Sequence, residues 1–131
     1  MQLKSPHIPF GISLEEGIKI LNSITSEIEK NTNKENDFYK IVSDDWECGF
    51  YEDKGIVVST WYNDSAGRDT EEGINLKVTS YLNRYGDMDE WVDGINNGII
   101  QFFINTKKGI GMSYGLHRDV ILFNRLNHHT T

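Results

Sequence analysis

Hydrophobic positions recur with two different periods along this chain. Leu14, Ile18, Leu21, Ile24 and Ile28 follow one another at three- and four-residue intervals, which places them on one face of a helix. Ser13-Leu14-Glu15-Glu16 just before them has the form of a capping box, with Ser13 accepting from a backbone N–H and Glu16 reaching back. The polar run 31–36 is expected to end that helix. The pattern then changes to strand-like segments at 38–43, 46–51 and 56–62. Val57, Val58, Thr60, Trp61 and Tyr62 are β-branched or aromatic, as strands prefer. Asp53-Lys54-Gly55 reads as the turn of a hairpin, with Gly55 supplying a positive φ.

Residues 63–72 form a polar loop. The segment 73–85 fits both periods: Ile74, Leu76, Val78, Ser80 and Leu82 alternate, while Ile74, Val78, Tyr81, Leu82 and Tyr85 share a helical face. The acids from Asp69 to Glu72 and the following Gly86 incline the reading to helix. Residues 87–97 read as a short helix carrying Met88, Trp91, Val92 and Ile95 on one side, started by Asp87 or Asp89 and stopped by Asn97-Gly98. Residues 99–105 and 110–114 make a second hairpin across Thr106-Lys107-Lys108-Gly109, and 120–123 a last short strand or turn. This order predicts a single α+β domain over 1–131: an antiparallel sheet built from hairpins, with two or three helices packed on one face and the other face partly open.

Composition narrows the setting. At 131 residues with 37% hydrophobic and 25% charged content, the chain is globular in character and long enough to bury a core. One cysteine, Cys48, excludes an intramolecular disulfide and fits a reducing compartment. The N-terminus lacks a signal-peptide pattern and no apolar run has the length of a membrane helix, so a cytoplasmic protein with no membrane partner is expected. The net charge of −7 is uneven. Residues 44–93 hold thirteen acids against Lys54, Arg68, Lys77 and Arg84, a net of −9. Such a section repels nucleic-acid phosphates and attracts a basic partner, or else serves solubility alone.

Candidate chemistry is sparse. Cys48 lies among acids that would raise a thiol pKa, so it reads as a small core residue and not a nucleophile. His117-Arg118-Asp119 echoes a kinase catalytic loop, but the glycine-rich loop, strand lysine and Asp-Phe-Gly motif are absent. Asp87, Asp89, Glu90 and Asp93 crowd one segment without the glycine and distal glutamate of a calcium loop; the helix dipole accounts for them. Gly109-x-Gly111 sits inside a hairpin, where strand glycines are the simpler reading. No catalytic residue, metal site or cofactor is expected.

What remains is the coincidence of acids with aromatics. Trp46, Tyr51, Trp61, Tyr62, Tyr81, Tyr85 and Trp91 all fall in the acidic section. Aromatics anchor interfaces and carboxylates steer a basic partner, whereas the plainer account makes these rings core residues. Asp89-Glu90-Trp91-Val92-Asp93-Gly94-Ile95-Asn96-Asn97-Gly98 running into Ile99-Ile100-Gln101-Phe102-Phe103 is similar to the closing helix-then-strand of some colicin-type immunity proteins. With its size, acidity and element pattern, the chain resembles bacterial immunity proteins of polymorphic toxin systems, including those of contact-dependent growth inhibition. The resemblance implies no catalysis and a single class of partner: a cognate toxin domain, often a basic nuclease. The expected contact residues are Tyr62, Asp64, Asp69, Glu71, Glu72, Asp87, Asp89, Glu90, Trp91 and Asp93, provided the fold brings the two acidic runs together. Two rivals stand beside this: a small-ligand or enzymatic domain with a pocket around His117, Tyr114 and Trp61, and a DNA mimic that engages a nucleic-acid-binding protein.

Overall fold

In a computed structural model, the described residues are 5–32, 37–43, 46–64, 71–96, 100–115 and 120–125, with backbone alone at 64, 71, 74, 94–96, 100, 101 and 120–125. The chain is α+β. A helix α1 (Leu14–Asn22) precedes strands β1 (Glu29–Asn31), β2 (Phe38–Val42), β3 (Trp46–Asp53) and β4 (Ile56–Asp64). A longer helix α2 (Glu71–Tyr85) precedes β5 (Val92–Asn96), β6 (Ile100–Asn105), β7 (Ile110–Gly115) and β8 (Val120–Arg125). Each helix thus introduces a four-stranded meander. The two meanders join through antiparallel β4 and β8 into one eight-stranded sheet of order β1-β2-β3-β4-β8-β7-β6-β5. The arrangement is an internal topological repeat related by a pseudo-twofold axis between β4 and β8. No self-similarity of the sequence announces it.

Helix α1 starts where its cap dictates: Ser13 Oγ accepts from Glu16 N at 3.1 Å. It stops earlier than the apolar stripe suggested. Ser23 Oγ donates to Ile20 O at 2.6 Å and Thr25 Oγ1 accepts from Glu27 N at 3.2 Å. Hydroxyls of this kind offer the backbone partners that compete with helix continuation. Ile24 is consequently exposed, and residues 29–31 pair as an edge strand that their own composition does not suggest.

The turn between β3 and β4 has positive φ at Lys54 (53°) and Gly55 (80°), the two-residue geometry that suits strand twist. Glu52 Oε2 accepts from Gly55 N at 2.8 Å and reinforces it. The pairing register shifts between Tyr51 and Glu52, so that Tyr51 faces Ser59 while Glu52 faces Val57. The extra residue, Val58, lets Val57 and Thr60 look to the same side.

Parity decides the core. Tyr39, Ile41, Cys48, Phe50, Val57, Thr60 and Tyr62 in the first half, and Phe103, Asn105, Ile110, Met112 and Tyr114 in the second, lie on one face and are buried. Both helices cover this face. A Cβ placed on Gly17 of α1 would come within 2.8 Å of the Phe50 ring and 3.2 Å of Val57, so the helix approaches the sheet closely there. Helix α2 buries Lys77, Val78, Tyr81, Leu82 and Tyr85, a one-sided helical stripe that removes the ambiguity of this segment. No helix among the described residues is long and apolar enough to cross a membrane.

One expected helix is absent. The described residues of this segment, 87–96, give only a single 3-10 turn, Met88–Glu90, followed by extended Trp91 (φ −91°, ψ 134°) and then β5. Glycine at 94 and β-branched Val92 and Ile95 weaken a helix here, and pairing with β6 supplies the backbone partners instead. In the segment that carried the resemblance to colicin-type immunity proteins, residues 92–96 and 100–103 are thus strand.

Candidate functional site

The residues named from sequence are sorted by the fold into several environments. Tyr62 is 1% exposed and belongs to the core. Its hydroxyl donates to Pro6 O at 3.2 Å and lies 3.0 Å from the Tyr85 hydroxyl, which itself donates to Ile8 O at 2.7 Å and sits 3.3 Å from Thr60 Oγ1. Burial pushes both phenols up, Tyr62 well above the usual tyrosine value, so both remain neutral donors. Trp91 is also buried, and its indole Nε1 donates to Leu82 O at 3.1 Å near the end of α2. Neither aromatic offers a surface to a partner.

Glu90 is likewise engaged within the protein. Its Oε2 lies 3.1 Å from Lys107 Nζ, and its Oε1 accepts from Asn105 Nδ2 and from Asp87 N, each at 3.3 Å. The Lys107 contact, together with these hydrogen bonds, holds the Glu90 carboxyl below its ordinary value, and Glu90 raises Lys107 in return. Buried Asn105 also accepts from Lys108 N at 2.9 Å, so one amide fastens both the 3-10 turn and the β6–β7 turn. Elsewhere, Lys40 meets Glu29 at 3.6 Å and Glu47 at 3.5 Å, and Lys30 meets Asp37 at 3.7 Å. Part of the acidic charge is thus answered by the protein's own lysines.

Asp87, Asp89, Asp93 and Glu72 are exposed. Asp64 ends β4 and Glu71 begins α2, with their backbones alone described; Asp69 lies outside the described residues. Where the described residues include both, the two acidic runs are not brought together. Glu71 and Glu72 start α2 and Asp87 follows its end, so the intervening helix holds them about 20 Å apart at 1.5 Å per residue.

The fold instead gathers apolar side chains that the sequence pattern had not grouped. Val92 (64% exposed), Ile104 (39%) and Phe102 (38%) are all large and accessible, and Met88 (42%) is accessible in the preceding 3-10 turn. Val92 and Ile104 are directly paired across β5 and β6, and Phe102 is two residues from Ile104, on the same side of its strand. That side is the face opposite the helices. β5 is an edge of the sheet. Asp93, paired with Phe103, projects to the opposite, helix-covered side, and exposed Asp87 and Asp89 lie just before and within the 3-10 turn that leads into β5. The signal available in sequence was the alternation in β6, where Phe102 and Ile104 must face away from Phe103.

On the other half of the same open face, Phe38, Tyr51 and Trp61 form a ring cluster with centroids 5.2–5.5 Å apart. A Cβ at Gly49 would collide with the Trp61 ring and with Tyr39 O, so only glycine lets the indole lie flat over the sheet. Trp61 and Tyr114 lie on opposite faces, because Tyr62 and Tyr114 share the partner Ile121. They cannot line the single pocket expected around His117, which itself lies outside the described residues. Cys48 is buried, and its thiol is pushed up to about 12, chiefly by burial. Among the described residues no group of three or more His, Cys, Asp or Glu side chains is placed to hold a metal ion. Comparison with protein-family models, curated proteins and solved structures finds no match for this chain.

Proposed function

We propose that this protein is a cytoplasmic immunity protein that binds a cognate toxin domain, a basic nuclease by preference, and neutralises it stoichiometrically without catalysis. The observation that supports this reading is the exposed apolar cluster of Val92, Ile104 and Phe102 on the open face at the β5 edge. Exposed apolar side chains gathered on one surface mark protein interaction sites. The net charge of −7 selects a cationic partner, and a nuclease cleft is cationic because it holds phosphates. Exposed Asp87, Asp89 and Asp93 add long-range attraction that steers the encounter, while the apolar side chains exclude water and slow dissociation. Tyr62, Glu90 and Trp91 have no part in the contact, since their polar atoms are bonded within the protein.

The test is binding to the toxin candidate encoded beside this gene, followed by surface plasmon resonance at several salt concentrations. Val92→Lys with Ile104→Lys is expected to weaken binding by roughly a hundredfold or more, mostly through faster dissociation. Joint Asp87→Lys, Asp89→Lys and Asp93→Lys is expected to slow association about tenfold and to flatten its salt dependence. Undiminished affinity in the apolar double variant rejects this surface. Absence of any binding rejects the assignment.

A further inference from the structure

A different region carries a second kind of site. The segment 5–12 crosses the helix-covered side as a strap. Gly11 N donates to Val57 O and Val57 N to Ile12 O, both at 2.9 Å, along the part of β4 that β8 leaves unpaired. Arg84 near the end of α2 fastens the strap, its Nη1 donating to Ser5 Oγ at 3.3 Å and Pro6 O at 3.2 Å. Its guanidinium lies 5.6 Å from the ring centroids of both Tyr62 and Tyr81, which fixes the plane of the fork.

Between strap, helix end and the β6–β7 turn is a cavity of about 270 Å³. Arg84, His7 and Lys108 bring nitrogen-bearing side chains to its wall, and Pro9, Phe10 and Ile110 bring apolar surface. Tyr85 joins the two parts: its ring lies 4.8 Å from His7 and 5.1 Å from Phe10. In a chain of net charge −7, no carboxylate among the described residues pairs with Arg84, His7 or Lys108, whereas Lys30, Lys40 and Lys107 each have one. Both hydrogen bonds of Arg84 leave from Nη1, so Nη2 and Nε keep donors for a ligand. Two cations at one wall without a counter-charge repel each other and hold the neighbouring imidazole neutral, and a bound anion relieves both effects.

We propose that this cavity binds a small organic anion: an oxyanion head, carboxylate or phosphate monoester, on a compact apolar body. The head lies among Arg84, Lys108 and His7, where a planar guanidinium suits two oxygens at once. The body packs against Phe10, Pro9 and Ile110. The volume is below that of most drug-sized sites, which restricts the body to about one ring or a short chain. The site is independent of the toxin-binding proposal, since Ile110 belongs to the helix-covered face and the apolar patch to the open one.

The experiment titrates the full chain with benzoate, phenyl phosphate and inorganic phosphate at constant ionic strength, followed by two-dimensional NMR. The expected result is saturable shifts at His7, Phe10, Tyr85 and Lys108 with at least one of the two aryl anions, and weaker binding of phosphate alone. Lys108→Gln, at an exposed side chain in a turn, is expected to weaken binding by roughly tenfold without altering the fold. His7 titrates below its ordinary value through partial burial and the nearby Arg84 charge; a bound anion is expected to move that titration to higher pH. If phenyl phosphate saturates the site and benzoate does not, the head is a phosphate monoester, and the reverse makes it a carboxylate. No saturable shift with either aryl anion at about 10 mM overturns the proposal, as does binding that Lys108→Gln leaves unchanged.

Discussion

The helix-covered and open faces of the sheet are built from alternate residues of the same strands, yet they differ in nearly every respect. On the covered face Phe50, Tyr62, Met112 and Tyr114 are fully enclosed, and the polar groups among them are bonded: Thr60 to Tyr85, Asn105 to Glu90 and to Lys108 N. On the open face the rings of Phe38, Tyr51 and Trp61 are half-buried against one another, and Val42, Phe102 and Ile104 stand out to solvent. Trp61 and Tyr62 are neighbours in sequence and occupy opposite sides of the molecule. An acidic, aromatic stretch of chain is therefore not an acidic, aromatic surface. The period of two along each strand divides it, and the bulge at Val58 adds a further change of side.

The sharpest way to break this contrast is to truncate one ring from each face. Phe50→Ala is expected to cost about 3–5 kcal/mol in urea unfolding, whereas Phe102→Ala costs under about 0.5 kcal/mol. Comparable losses at the two positions mean that the open face is covered. A smaller effect tests a place where the open face is tightly packed: Gly49→Ala is expected to cost about 1–3 kcal/mol, since the added methyl meets the Trp61 ring and Tyr39 O. The double variant with Trp61→Ala recovers only part of this, because the backbone oxygen stays.

Smaller again is Tyr85→Phe, which takes the donor from Ile8 O and loosens the strap. It is expected to cost about 1–2 kcal/mol and to raise amide exchange in residues 6–10. Cys48 offers a probe rather than a perturbation. With its thiol at about 12 through burial, it is expected to resist a disulfide reagent in the folded protein and to react promptly in urea. Rapid labelling of the native state contradicts its place beneath the helices.

The gentlest test is acid. Glu90 titrates below its usual value in the fold, mainly through Lys107, so its contribution is complete above the unfolded-state value. That contribution fades as pH falls through the folded one. His7 is also lowered, which means that the folded state favours neutral imidazole. Its contribution is present above about 6.5, the ordinary histidine value, and lost as pH falls through the folded one. Both slopes have the same sign, so the melting temperature is expected to fall from pH 7 towards pH 4. Glu90→Gln is expected to remove the part at the lower end of that range. A melting temperature that stays level across it removes the support for both contacts.

Local chemistry was legible in the residues themselves. Ser13 capped the helix it was expected to cap, Gly55 adopted the positive φ expected of the first hairpin turn, and Cys48 went to the core. The α+β class with antiparallel hairpins followed from the same signals, because caps, turns and short-range alternation act over a few residues and are written there. Strand β1, the conversion of residues 92–96 from helix to strand, and the union of two meanders across β4 and β8 were decided by pairing between distant segments, which no local preference reveals. The same holds for the sites. Sequence supplied the acids and the aromatics, but only the tertiary structure assigned Glu90 to Lys107, enclosed Tyr62 and Trp91, and set Glu71 and Glu72 the length of α2 from Asp87. It also drew His7, Arg84 and Lys108 around one cavity. A side chain's type is a property of the chain, whereas its neighbours, and therefore its charge state and accessibility, are set by contacts among residues far apart in sequence.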